Sequence, residues 1–273
     1  MLETTLLKVK HWGEDEAKKL LPYIQQADVF SPEIAFATEQ WAVYQEKDWI
    51  KALQMSRSKF LEIGKRRYDG QVEPKLVEYN LKREDYLFRA KIPIFFLEKW
   101  NQREVVELEA KNNEETRLFS QATTYLRTGK VTEYLEIAPR AISLSIQNVK
   151  KRDKKMVETL SDAERIIREQ YVQLKIKDPI QLVMELGAAH YPESWADLPI
   201  RVIELDNPHQ LGRELSEKFY KIDSESDYSP KDVLVFGLVM AMSLPISFDE
   251  EELRSLNFEE LKRKVERGLY RGR

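Results

Sequence analysis

The stretch Pro179-Ile-Gln-Leu-Val-Met-Glu-Leu-Gly-Ala-Ala-His-Tyr191 decides the fold that we predict for this chain. A short and nearly continuous apolar run that begins at a proline is typical of a strand buried on both faces of a parallel sheet. The run ends in three small residues, and His190 follows them directly. Ligands of open α/β sheets bind at the carboxyl ends of the strands, so His190 is a candidate for chemistry.

Further strands are predicted on both sides of this stretch, and helical patterns separate most of them. The segments with strand character are residues 4–10, 28–34, 92–97 and 199–205. This alternation predicts an α/β fold with a mainly parallel or mixed central sheet flanked by helices. We predict one domain over residues 1–273. The helical patterns at 38–91 and 99–172 are longer than crossovers between strands require, and we interpret them as a large helical insertion or cap within that domain.

Composition limits the classes of function. The 273 residues are 33% charged and 42% hydrophobic and carry a net charge of −3, so they lack the basic surface that nucleic acid requires. The absence of cysteine excludes thiol nucleophiles and thiolate metal sites. The longest apolar stretch, residues 233–245, is shorter than the ~20 residues that span a bilayer. We therefore expect no nucleic-acid partner, no membrane segment and a cytoplasmic location, and the oligomeric state stays open.

Histidines and glutamates follow the predicted strands. His11, Glu33, Glu98, His190 and His209 each come at or just after a predicted strand end, where neighbouring parallel strands bring side chains together. Imidazole with carboxylate suits a divalent metal such as zinc, manganese, iron or cobalt. The same groups can also supply a general base and an acid without a metal. Taken singly, each of them is more often a structural residue, and it is their joint position at the strand ends that indicates a site. We expect His209 to lie near this site without contacting the metal or the reacting groups.

Arg152 is a further candidate site residue. It lies in the long helical pattern that precedes the strand ending at Gly187. Asn148, Arg152 and Met156 recur at a spacing of four residues, so they share one face of a helix. A buried arginine on that face would neutralise a substrate carboxylate or orient one of the acids. The alternative is an ordinary solvated helix face.

These residues together resemble the TraB/PrgY–TIKI family, within a wider superfamily that includes ChaN-like and erythromycin-esterase-like proteins. The resemblance rests on a histidine after the first strand, a glutamate after the second, Arg152-Asp153-x-x-Met156 in a long helix, and Gly187-x-x-His190 after a strand. It covers roughly residues 4–205. It implies a core of parallel and mixed strands with a helical insertion, and a site at the strand ends.

The resemblance also implies roles for particular residues. His11, Glu33 and His190 would be the metal-binding or catalytic positions, with Arg152 supporting them. The cofactor would be a divalent metal (Mn, Zn, Co or Fe), and the substrate a small molecule or peptide. Our leading hypothesis is a metal-assisted hydrolase of the peptidase or esterase type.

The first motif departs from the family pattern. The family has glycine three residues before the first histidine, and this chain has Lys8 there. Lys8 would either obstruct a metal or hold an anionic group beside one. It favours the alternative hypothesis, a catalytically silent scaffold or a protein of the same fold that binds iron, haem or a partner.

Overall fold

A computed structural model of the chain describes residues 1–9, 13–33, 53–67, 74–98, 100–172, 176, 178–187, 190, 195, 198–205, 210–240 and 249–270. The chain divides into two compact units, residues 1–105 with 152–207 and residues 106–151 with 208–273. That it folds as one domain, with 38–91 and 99–172 as an insertion, stays a prediction. Within the described residues, none of the helices combines the length and the apolar character that a membrane span requires.

The first unit is built on a sheet of four parallel strands, which confirms the predicted α/β fold. The strands are β1 (Leu2–Val9), β2 (Val29–Ser31), β3 (Ile180–Gly187) and β4 (Ile200–Glu204), in the order β2-β3-β1-β4. β1 and β3 pair along their full length, from Leu2 opposite Ile180 to Val9 opposite Gly187. Their carboxyl ends are therefore level at one edge of the sheet.

Helices account for most of the remaining described residues. In chain order they are α1 (Glu14–Lys18), α2 (Leu21–Ile24), α3 (Arg57–Arg67), α4 (Pro74–Ala90), α5 (Gln102–Arg127), α6 (Val131–Ser161), α7 (Ala163–Gln170), α8 (Gln210–Tyr220), α9 (Pro230–Met240), α10 (Glu250–Ser255) and α11 (Phe258–Tyr270).

The strand predicted at residues 92–97 is reduced to a single bridge, in which Ile94 lies parallel to Phe30 of β2. The Phe30 N–H donates to the Pro93 carbonyl, and the Phe95 N–H donates to the Phe30 carbonyl, both at 2.9 Å. Pro93 has no N–H to donate, so a longer ladder cannot form through it. The segment still runs beside β2, and it carries Glu98 to the same edge of the sheet.

The two faces of the sheet have separate apolar cores because alternate strand residues point to opposite faces. Leu7 and Val183 belong to the core that includes residues of α1, α2 and α4. Leu6 and Met184 belong to the other core, which includes Met156 of α6. The sheet thus holds the carboxyl-terminal part of α6 against its second face, and Arg152 lies one helical turn before Met156.

A buried ion pair explains how Glu185 is accommodated in the centre of β3. Its side chain is fully buried, and Arg83 of α4 donates to Glu185 Oε1 at 2.9 Å. An unpaired carboxylate would cost several kcal/mol at such a position, so the arginine is what allows an acid in this strand.

In the second unit, α9 packs closely against α6. A Cβ atom on Gly237 of α9 would overlap the hydroxyl of Tyr134. That hydroxyl is buried and donates to the Val233 carbonyl at 2.8 Å, so it cannot move aside without losing its acceptor.

We expect Gly237→Ala to lower the free energy of unfolding by about 1–3 kcal/mol, because the overlap with Tyr134 outweighs the better helix propensity of alanine. Gly212→Ala in α8 is the matched control. Its new Cβ would meet only a side-chain methyl of Val239, at 2.9 Å, so a smaller loss is expected. Urea denaturation of both variants measures the two effects, and equal losses would contradict the packing described here.

Candidate functional site

Five charged side chains meet at the carboxyl edge of the sheet, and we call them the strand-end cluster: Glu33, Glu98, Arg152, Asp153 and His190. Glu33 lies two residues beyond β2, and His190 lies three residues beyond β3. Glu98 comes from the segment that bridges to β2, and α6 supplies the arginine and the aspartate. Each side chain is at most 10% exposed.

Arg152 joins the two glutamates. Its Nη2 atom lies 2.8 Å from Glu33 Oε1 and 2.6 Å from Glu98 Oε1, and its Nε atom lies 2.9 Å from Glu98 Oε2. Glu98 Oε2 also accepts a hydrogen bond of 3.1 Å from the Trp100 indole N–H. Burial alone would lower the pKa of Arg152, but the charges of Glu33 and Glu98 outweigh it and raise the pKa. The guanidinium is therefore permanently charged.

The ring of His190 lies between two carboxylates. Its Nδ1 atom is 2.6 Å from Asp153 Oδ1, and its Nε2 atom is 3.1 Å from Glu33 Oε1. The ring is only 1% exposed, and its backbone N–H donates to the Gly187 carbonyl at 3.2 Å. Both ring nitrogens thus face a negatively charged acceptor.

These neighbours determine the charge of His190. Burial by itself lowers the pKa of the imidazole, since it disfavours the charged form. The charge of Glu33 and the hydrogen bonds to Asp153 and Glu33 more than offset burial, and the pKa rises to about 9. At neutral pH His190 is therefore an imidazolium that donates to Asp153 and Glu33.

Glu33 is the centre of the strand-end cluster. Its Oε1 atom accepts from both Arg152 and His190, and its Oε2 atom accepts from the backbone N–H of Gly187. One carboxylate thereby connects the segment after β2 with the end of β3 and the carboxyl-terminal part of α6.

With His190 protonated, the described residues do not present the imidazole ligand that the resemblance implies. A protonated imidazole has no lone pair for a metal, and both nitrogens of His190 already contact carboxylates. No group of three or more metal-ligating side chains is found in the part of the chain that is described. His11, the other predicted imidazole ligand, lies outside the described residues. Divalent metal binding stays a prediction, and it would require His190 to lose its proton.

The structure brings together three of the four predicted site residues, Glu33, Arg152 and His190. Glu98 joins them, while His11 and His209 both lie outside the described residues. Asp153 is a member that the sequence reasoning missed. The sequence did contain a signal for Asp153. It is adjacent to Arg152 in the helix motif, and its carboxylate can accept a hydrogen bond from a histidine ring.

Lys8 is buried at the end of β1, with 3% of its surface exposed. In the sheet register it lies opposite Leu186 of β3 and Glu204 of β4. It therefore points to the face that packs against α6, where the charged residues of that helix lie. A lysine buried on this face is compatible with the prediction that it holds an anionic group, and that role stays a prediction.

The chain was compared with known proteins. No family model, curated protein or solved structure matches it. The resemblance to the TraB/PrgY–TIKI family therefore rests on the short motifs alone.

The raised pKa of His190 predicts a specific dependence of stability on pH. The imidazolium stabilises the folded state fully below the ordinary pKa of 6.5, and the contribution is lost as pH rises towards about 9. We expect the free energy of unfolding to fall by about 3 kcal/mol over that window in the native protein. In His190→Gln this part of the pH dependence should disappear. A native protein whose stability does not change relative to that variant between pH 6 and 10 would contradict the assignment.

The buried pairs of Arg152 predict a large loss on substitution. Arg152→Met leaves two buried carboxylates without their cation and should cost about 3–5 kcal/mol of unfolding free energy. Arg140→Met on the same helix is the matched control. Its ion pair with Glu114 is exposed, so its loss should cost about 1 kcal/mol or less. Chemical denaturation at pH 7 compares the two, and similar losses would mean that the strand-end cluster is not buried in solution.

Proposed function

We propose that this protein is a hydrolase of esters or amides whose active site is the strand-end cluster. The observation that carries the proposal is the contact of 3.1 Å between His190 Nε2 and Glu33 Oε1 at the carboxyl edge of a parallel sheet. A proton donor and a proton acceptor lie side by side there, at the edge where α/β proteins bind ligands.

Glu33 and His190 would act as base and acid. The Glu33 carboxylate takes a proton from water while the hydroxide adds to the carbonyl carbon. The His190 imidazolium gives its Nε2 proton to the leaving oxygen or nitrogen as the bond to carbon breaks. The proton on Glu33 then passes to Nε2 over the same 3.1 Å, and the starting state is restored.

Arg152 would hold Glu33 in place and add positive charge beside the oxyanion that develops during attack. Its contact with Glu33 is 2.8 Å, close enough for both effects. Membership of the TraB/PrgY–TIKI family is part of the proposal, as are a small-molecule or peptide substrate and a cytoplasmic location. No step in this scheme uses a metal ion.

A hydrolase screen with matched variants tests the proposal. Purified protein is assayed on ester and peptide libraries, with added Mn²⁺ or Zn²⁺ and with a chelator. We expect activity that survives the chelator and that falls by about a hundredfold or more in Glu33→Gln and in His190→Gln.

Lys18→Gln, in an exposed pair with Asp15, is the control, and it should keep full activity. Activity that requires added metal would replace the direct mechanism by a metal-assisted one. Native protein without activity under any of these conditions would overturn the hydrolase proposal.

A catalytically silent scaffold is the second candidate, and one observation favours it. His190 is almost wholly buried, and both its ring nitrogens and both Glu33 oxygens already have partners. Groups satisfied in this way are sufficient to fix α6 on the sheet without any catalytic role. Binding of iron or haem, which the resemblance also allows, has no support from the described residues.

A further inference from the structure

We propose that Asp153 is a positioning residue, which keeps a proton on His190 Nδ1 so that Nε2 alone exchanges protons with Glu33 and the substrate. The inference deepens the proposed hydrolase function and rests on it. Its basis is the hydrogen bond of 2.6 Å between His190 Nδ1 and Asp153 Oδ1, with both side chains at most 3% exposed.

The helix gives the pair its geometry. Arg152 and Asp153 are consecutive on α6, and consecutive helical side chains point about 100° apart. One therefore reaches Glu33 and the other reaches the far side of the His190 ring. The ring lies between these two contacts, and Nε2 faces Glu33 as a consequence.

The carboxylate matters because it can only accept a hydrogen bond. Once Nε2 has given up its proton, neutral imidazole keeps one proton, and it can reside on either nitrogen. Asp153 holds that proton on Nδ1, which leaves the Nε2 lone pair free to take the proton back from Glu33. An asparagine amide can turn to donate to Nδ1, and the proton would then move to Nε2.

A purely structural role makes a different prediction. If Asp153 only filled space and satisfied a polar neighbour, then asparagine, which has nearly the same shape, would preserve the ring and its tautomer. The decisive variant is therefore Asp153→Asn, and the decisive readout is the tautomer of His190 rather than stability.

The experiment measures the ring nitrogens of His190 by ¹H–¹⁵N NMR, above its pKa, with His190→Gln used to assign the signals. We expect the Nδ1–H tautomer in the native protein and a shift towards Nε2–H in Asp153→Asn. Asp153→Glu, which restores the carboxylate, should restore Nδ1–H. With a substrate from the hydrolase screen, Asp153→Asn should lower kcat by about a hundredfold and leave KM within about twofold.

Asp85→Asn is the matched control, since Asp85 is an equally buried aspartate that pairs with Arg57 on α3. It should lower stability without changing the His190 tautomer. An unchanged tautomer in folded Asp153→Asn would overturn the inference, whatever the enzyme assay gives. Native protein without activity would overturn the hydrolase proposal instead, while a shifted tautomer would still establish that Asp153 sets the protonation of the ring.

Discussion

The ionic contact of Arg152 with Glu33 and Glu98 is the constraint on which the rest of the strand-end cluster depends. Three carboxylates lie close together out of water, which is unfavourable unless cations accompany them. Arg152 compensates two of them, and protonated His190 is shared between Glu33 and Asp153. Each buried charge is tolerated only because an opposite charge lies beside it. The position of each side chain in the cluster therefore depends on the positions of the others.

The same charges determine what chemistry is available. In water a histidine is mostly neutral at pH 7 and is a good metal ligand. Between Glu33 and Asp153 it becomes an acid with a pKa of about 9. Buried groups with strongly shifted pKa values are concentrated at functional sites, although structural ion pairs produce such shifts too. Charge compensation therefore makes His190 a proton donor at neutral pH, and enzyme and scaffold stay distinct proposals.

Much of the sheet could be predicted because its signal is local. β1, β3 and β4 follow from short apolar or alternating runs, and parallel pairing follows from the helices that separate most of the strands. The segment at 92–97 has the same apolar composition, yet it forms a single bridge, and Pro93 has no N–H with which to extend the ladder on its amino-terminal side. The apolar composition of such a segment predicts that it is buried. Whether it forms a continuous β-ladder depends on which of its backbone groups can form hydrogen bonds with the neighbouring strand.

The strand-end cluster was harder to predict than the sheet. Glu33 and His190 were identifiable because they follow strands, and Arg152 because it fits a motif. Asp153 lies in the run Arg152-Asp153-Lys154-Lys155, which has the composition of a solvated helix face. Which members of such a run are buried depends on how the helix is rotated against the sheet, and that rotation is set by distant residues such as Met156 and Leu6.

The members of the strand-end cluster contact one another closely, so a substrate could reach them only if one of these contacts opens. A substrate that binds there must displace a hydrogen bond of Glu33 or His190. The bond most easily displaced is a long one between two side chains that share no other hydrogen bond. His190 Nε2 to Glu33 Oε1 is 3.1 Å, while Arg152 to Glu33 is 2.8 Å and His190 to Asp153 is 2.6 Å. Opening this one contact frees the donor and the acceptor together. The two shorter contacts would still hold both side chains in place, so the longest contact of Glu33 with a charged partner is also the one whose opening the proposed mechanism requires.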